Sequence, residues 1–231
     1  MALDNFTFSP VGSVKLSYTW SSKDITFESG KKQYRRTRIK PKKTIGFTIS
    51  GFGEDSLNSF VSFYNNQHGQ LNPFWFTYDN VKEICYFSDI ISPQLYRECG
   101  KVVGFKCDVS LEVDNQATSY PIPLESDVLP CPHGNITRSI DWNVQVLELG
   151  ATDRRERSKK PIEKLTCNFS GLKEDRDKII ALFNSHCKVP LELNYGNKKV
   201  KVKFPDSLEI TDKREGKNIV GYECQLELEV V

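Results

Sequence analysis

The chain has 231 residues, 38% hydrophobic and 27% charged, with 32 basic against 30 acidic side chains. A net charge of +2 lacks the basic excess of a general nucleic-acid binder, and no apolar run approaches the ~18–20 residues of a helical membrane span. Seven cysteines without a C-x-x-C pair fit reduced thiols in a cytosolic setting, several of them acting as small buried apolar groups.

Residues 1–13 read as a short N-terminal arm whose Phe6 and Phe8 are expected to dock on a neighbour. Met1-Ala2-Leu3-Asp4 lacks the basic-then-apolar layout of a signal peptide. Residues 14–19 alternate as a strand, and 20–27 continue in a β-rich register up to the turn signal Glu28-Ser29-Gly30-Lys31. A basic stretch follows, with Arg35, Arg36, Arg38, Lys40, Lys42 and Lys43 around Pro41. In residues 44–50, Ile45, Phe47 and Ile49 share one face of a strand. The pattern predicts a long hairpin or extended arm.

Leu57, Phe60, Val61 and Phe63-Tyr64 have helical spacing. Glu54 and Asp55 suit the positive end of that helix, and Gly69 suits the chain reversal just past it. Residues 74–78 form a β-prone aromatic run. Residues 81–91 and 101–113 are expected strands, with 92–100 a loop between them. Residues 114–137 hold four prolines and no periodicity, which predicts a linker.

The second half repeats the plan: a strand over 142–149, a charged arm over 153–164, a strand over 165–170, a helix over 174–185, and strands over 190–195, 198–204 and 220–230. Its arm carries Arg154, Arg155, Arg157, Lys159 and Lys160. Matching landmarks are Trp20 and Trp142, Arg35-Arg36 and Arg154-Arg155, Ser50-Gly51 and Ser170-Gly171, Glu54-Asp55 and Glu174-Asp175, Tyr78 and Tyr195, and Cys107 and Cys224. Their separation drifts from 122 to 117 residues, so a few loop deletions relate the copies. The expected organisation is an arm at 1–13, a first domain at 14–113, a linker at 114–137 and a second domain at 138–231. The expected class is α+β, mainly β, with one flanking helix and one charged hairpin arm per copy.

No phosphate-binding loop, nucleophile elbow or zinc-protease signature is present. His68 and His186 fall near the ends of equivalent helices, where capping or surface roles suffice. Cys131-Pro132-His133 lacks the four ligands of a structural zinc site, and Cys85, Cys99 and Cys107 match no common zinc spacing. We expect no catalytic, cofactor or metal site. Three readings of the basic arms stand side by side: contact with a neighbouring subunit or ring, plain solvation, and contact with nucleic acid.

The order of elements, the phrase Phe63-Tyr64-Asn65-Asn66-Gln67-His68-Gly69 and the following Pro73-Phe74-Trp75-Phe76 resemble the tail-tube-like domain of long-tailed bacteriophages. Distal tail and minor tail proteins belong to that group. The second copy departs from the pattern, with His186-Cys187-Lys188-Val189 and Leu191-Glu192-Leu193 in the corresponding places. The resemblance implies β-sandwich or split-barrel domains and a structural virion protein, made in the host cytoplasm, that forms a ring in the tail. It implies hairpins that join neighbours around a channel through which DNA only passes. Implied partners are further copies of the chain, the tube protein, the tip or hub protein and the tape measure protein. A trimer with pseudo-sixfold symmetry is the favoured ring and a hexamer the competitor.

Overall fold

The computed structural model describes residues 3–26, 32–36, 40–114, 128–141, 144–149, 151–156, 161–185, 189–195, 198–216 and 218–231; for 22–26, 32–36, 144–149, 151–156 and 195 it describes the backbone. Among them the chain is mainly β, with two helices. In order the first repeat holds β1 (Val11–Thr19), β2 (Ser22–Thr26), β3 (Lys32–Arg36), β4 (Lys42–Phe52), α1 (Gly53–Asn66), β5 (Phe74–Tyr78), β6 (Val81–Phe87), β7 (Gln94–Glu98) and β8 (Lys101–Val113). The second holds β9 (His133–Asp141), β10 (Val144–Leu149), β11 (Ala151–Glu156), β12 (Ile162–Gly171), α2 (Lys173–Ser185), β13 (Leu191–Tyr195), β14 (Lys198–Lys203), β15 (Ser207–Glu215) and β16 (Asn218–Val230). The two lists have one order of elements.

The pairings repeat as well. The hairpin β2–β3 has its counterpart in β10–β11. β1 pairs β4 as β9 pairs β12, and β4 pairs β8 as β12 pairs β16. From β5 onward the registers match at a constant offset of 117 residues. Phe74 opposes Cys85 as Leu191 opposes Val202, and Cys85 opposes Val113 as Val202 opposes Val230. Gln94 opposes Lys106 as Thr211 opposes Glu223, and the register slips at Tyr96/Arg97 and again at Lys213/Arg214.

The chain forms two compact units, each discontinuous in sequence. Unit 1 gathers Met1–Tyr18, Lys42–Tyr120 and Glu209–Glu223; unit 2 gathers Thr19–Pro41, Pro121–Leu208 and Cys224–Val231. Residues 209–223 of the second repeat therefore belong to unit 1, and residues 19–41 of the first repeat to unit 2, outside the spans that the sequence pattern suggests. An alternating strand specifies which face it buries, not which neighbour it pairs with.

In unit 1 the strand order runs β15, β1, β4, β8, β6, β5, with β7 also on β8. Its core is aromatic. Phe47 stacks on Phe76 at 5.2 Å between ring centroids, Phe60 on Phe105 at 5.8 Å, and Phe6 contacts Phe63, Phe74 and Phe87. Helix α1 packs on β4 and β8 and buries Phe60. Its last turn closes with Gly69 N donating to the Tyr64 carbonyl at 3.0 Å, and both His68 and Gly69 take positive φ. Gly51 is required by close approach, because a Cβ there would lie 2.5 Å from the Phe105 ring.

In unit 2, β16 pairs β12 and β14, β13 flanks β14 and β9 flanks β12. Helix α2 packs on β12 and buries Ile179, Ile180, Leu182 and Phe183. Phe183 meets Phe204 edge to face at 5.5 Å, and Trp20 Nε1 donates to the Phe183 carbonyl at 3.3 Å.

Three local expectations change. Phe6 packs within unit 1, with its amide donating to the Trp75 carbonyl at 2.8 Å, because the aromatic pocket beneath β5 is already in its own chain. Residues 94–98 form β7 rather than loop; all five are exposed, so no alternation marked them. The expected linker ends early: Leu129 is buried, its amide donates to the Glu192 carbonyl, and β9 begins at His133.

Candidate assembly surface

The basic residues fall on three kinds of position. Arg35 and Arg36 lie on β3, opposite Lys23 and Ser22 of β2; Arg154 and Arg155 lie on β11, opposite Val146 and Gln145 of β10. The hairpin expected from the sequence is thus present in both repeats, and the paired arginines sit on its return strand each time. Arg38, Arg157, Lys159 and Lys160 lie outside the described residues. Lys40 is half-buried just before β4.

Lys42 and Lys43 open β4 and are committed within unit 1. Lys42 pairs with Glu112 at 2.7 Å on the adjacent strand β8. Lys43 reaches both carboxylate oxygens of Glu83, at 2.6 and 2.9 Å, and that pair is largely buried. These two lysines neutralise their own sheet.

The other chemistry-bearing groups are dispersed. No group of three or more metal-ligating side chains exists among the described residues. Cys85, Cys107, Cys167 and Cys224 are buried free thiols, while Cys99 and Cys131 are exposed. Burial pushes the Cys85 thiol up to about 12 and the Cys167 thiol up to about 11, which makes both poor nucleophiles. A groove of about 810 Å³ runs over the polar face of β1, β4 and β8 in unit 1, between Lys15, Lys106, Asp89 and Asp108. Asp108 already accepts from Thr48 at 2.6 Å. No described helix is long and apolar enough to cross a membrane.

The strand edges are the feature that sequence reasoning missed. The outer edge of β5 is covered by the arm, where Trp75 N donates to the Asp4 carbonyl at 2.8 Å, and the outer edge of β13 by Leu129 in the equivalent way. Within unit 1, β15 pairs β1, supported by Lys15–Glu209 at 2.7 Å. Among the described residues β7 pairs β8 alone and β9 pairs β12 alone. The missed signal was the 117-residue offset itself, which carries β15 onto β7.

No protein-family model and no curated protein matches the chain.

Proposed function

We propose that the chain is a structural protein of a bacteriophage tail. It forms a ring at the distal end of the tail tube, joins tube to tip, and encloses the DNA channel. The observation that carries this reading is the duplication at the level of strand register. Two copies of one β unit, each with a basic two-stranded hairpin, suit a closed ring built from half as many chains as domains. The assignment of residues 19–41, hairpin included, to the unit of the other repeat supports a contact role for the hairpins. In this reading the arms touch neighbouring subunits or rings, and the chain has no catalytic role.

Mass measurement and negative-stain imaging of the purified protein test it. With a 26.4 kDa chain, a trimeric ring has a mass of about 79 kDa and a hexameric one about 158 kDa. We expect rings, with the trimer favoured. A chain that stays monomeric at high concentration overturns the proposal. The basic hairpins also motivate a second reading, a nucleic-acid-binding module. It requires binding that falls steeply with salt, and the balanced charge weighs against it.

A further inference from the structure

We infer that copies of this chain join edge to edge, with β9 of one copy adding to β7 of the next. The inference rests on the ring reading for its partner and names the surfaces that make the ring. Its basis is a contact already made inside unit 1, where β15 of the second repeat pairs β1 of the first. The counterpart of β15 is β7, matched residue for residue along its pairing partner, including the register slip. The counterpart of β1 is β9, which flanks β12 as β1 flanks β4. Both halves of the contact therefore occur a second time, and among the described residues β7 pairs β8 alone and β9 pairs β12 alone, where β15 and β1 each have a second partner strand.

Exposure agrees. Tyr18 on β1 is 5% exposed, and Ile140, 122 residues later on β9, is 51% exposed. Asp212 on β15 is fully buried, while Leu95, 117 residues earlier on β7, is 40% exposed beside Tyr96 at 53%. A strand at the edge of a sheet with exposed apolar side chains is a template for a further strand. The strand it is shaped for is the counterpart of the one its twin already holds. Each copy carries one edge of each kind, so the contact is head to tail, and it repeats until a ring closes.

The internal contact also sets a register. Lys15 pairs Glu209 at 2.7 Å, and the two offsets place Thr137 where Lys15 stands and Ser92 where Glu209 stands. Thr137 of one copy should therefore face Ser92 of the next. Both are exposed, so substitution leaves each chain's own packing intact. The full-length chain carrying Ser92→Lys with Thr137→Lys places like charges across the junction. Its assembly, followed by mass photometry against protein concentration, should weaken on the order of tenfold or more. Ser92→Glu with Thr137→Lys should keep the wild-type mass and dissociate more readily as salt is raised. Thermal unfolding of both variants should match the wild type, which separates assembly from folding. If the double-lysine chain assembles as the wild type does, this edge contact is wrong and the ring stands on other surfaces. If the wild type itself never assembles, the ring reading falls and the edge contact falls with it.

Discussion

The Tyr78 hydroxyl donates a hydrogen bond to Asp212 Oδ2, tying β5 of the first repeat to β15 of the second inside unit 1. Both side chains are buried, and the Arg214 guanidinium lies 5.5 Å from the centre of the Tyr78 ring. A buried carboxylate depends on its donors, because a lost partner exposes the full desolvation cost. Tyr78→Phe should therefore lower unfolding free energy by about 1–3 kcal/mol in urea denaturation. A variant as stable as the wild type would show that Asp212 draws nothing from this hydroxyl.

Lys43 and Glu83 pose the same question with two charges. Their pair is largely shielded from water, so removing one charge strands the other. Lys43→Met alone should cost about 3–5 kcal/mol, while Lys43→Met with Glu83→Leu should recover most of that loss. The four corners of this cycle, measured by denaturation, give the coupling directly. Equal losses in the single and double variants would mean that the pair is not a unit.

The contrast between strands explains what the sequence can convey. β8 alternates buried and exposed residues from Phe105 to Val113, so its faces are legible from hydrophobicity alone. β7 lies fully exposed, and β15 buries Asp212 at a position where the alternation calls for an apolar residue. β7 is held by backbone pairing to a long neighbour, which leaves no side-chain signature, whereas on β15 the alternation of buried Leu208 and Ile210 with exposed Ser207 and Glu209 is broken in character only at Asp212. The buried place of Phe6 is hidden for another reason: its partners Phe63, Phe74 and Phe87 are far along the chain. The hairpins were legible as charged segments between strands. Their attachment was not, since nothing in residues 19–41 records that they belong to unit 2.

Thiol chemistry should divide along burial. Cys99 and Cys131 are exposed, whereas Cys85, Cys107 and Cys167 are buried with their thiols pushed up, chiefly by desolvation. At pH 8 an aromatic disulfide reagent should modify Cys99 and Cys131 quickly and these three only on unfolding, with peptide mapping as the readout. A raised thiol value also fixes the sign of a pH effect. Below 9.0 the thiols are protonated in both states, and stability is unaffected by them. Between 9.0 and about 12 the unfolded chain releases the Cys85 proton while the folded chain retains it, so stability falls with rising pH. Cys85→Ala should flatten that fall. An unchanged slope would place its origin elsewhere.

The hairpin arginines carry the remaining test. Arg35-Arg36 and Arg154-Arg155 occupy matching return strands. If the hairpins only meet solvent, reversing these charges changes little, since isolated surface charges contribute about 0–1 kcal/mol. If they seat against acidic surfaces of neighbours, four simultaneous Arg→Glu changes replace attraction with repulsion at every junction of the ring. The expected result is a folded chain that fails to assemble, seen as a loss of rings in negative stain, and particles without infectivity. Reversal of four exposed lysines away from the hairpins and from the β7 and β9 edges, Lys82, Lys178, Lys198 and Lys201, controls for the change in net charge. That control should assemble. If the hairpin variant and the control form rings equally well, the arms make no contact that matters, and the junction rests on the sheet edges alone.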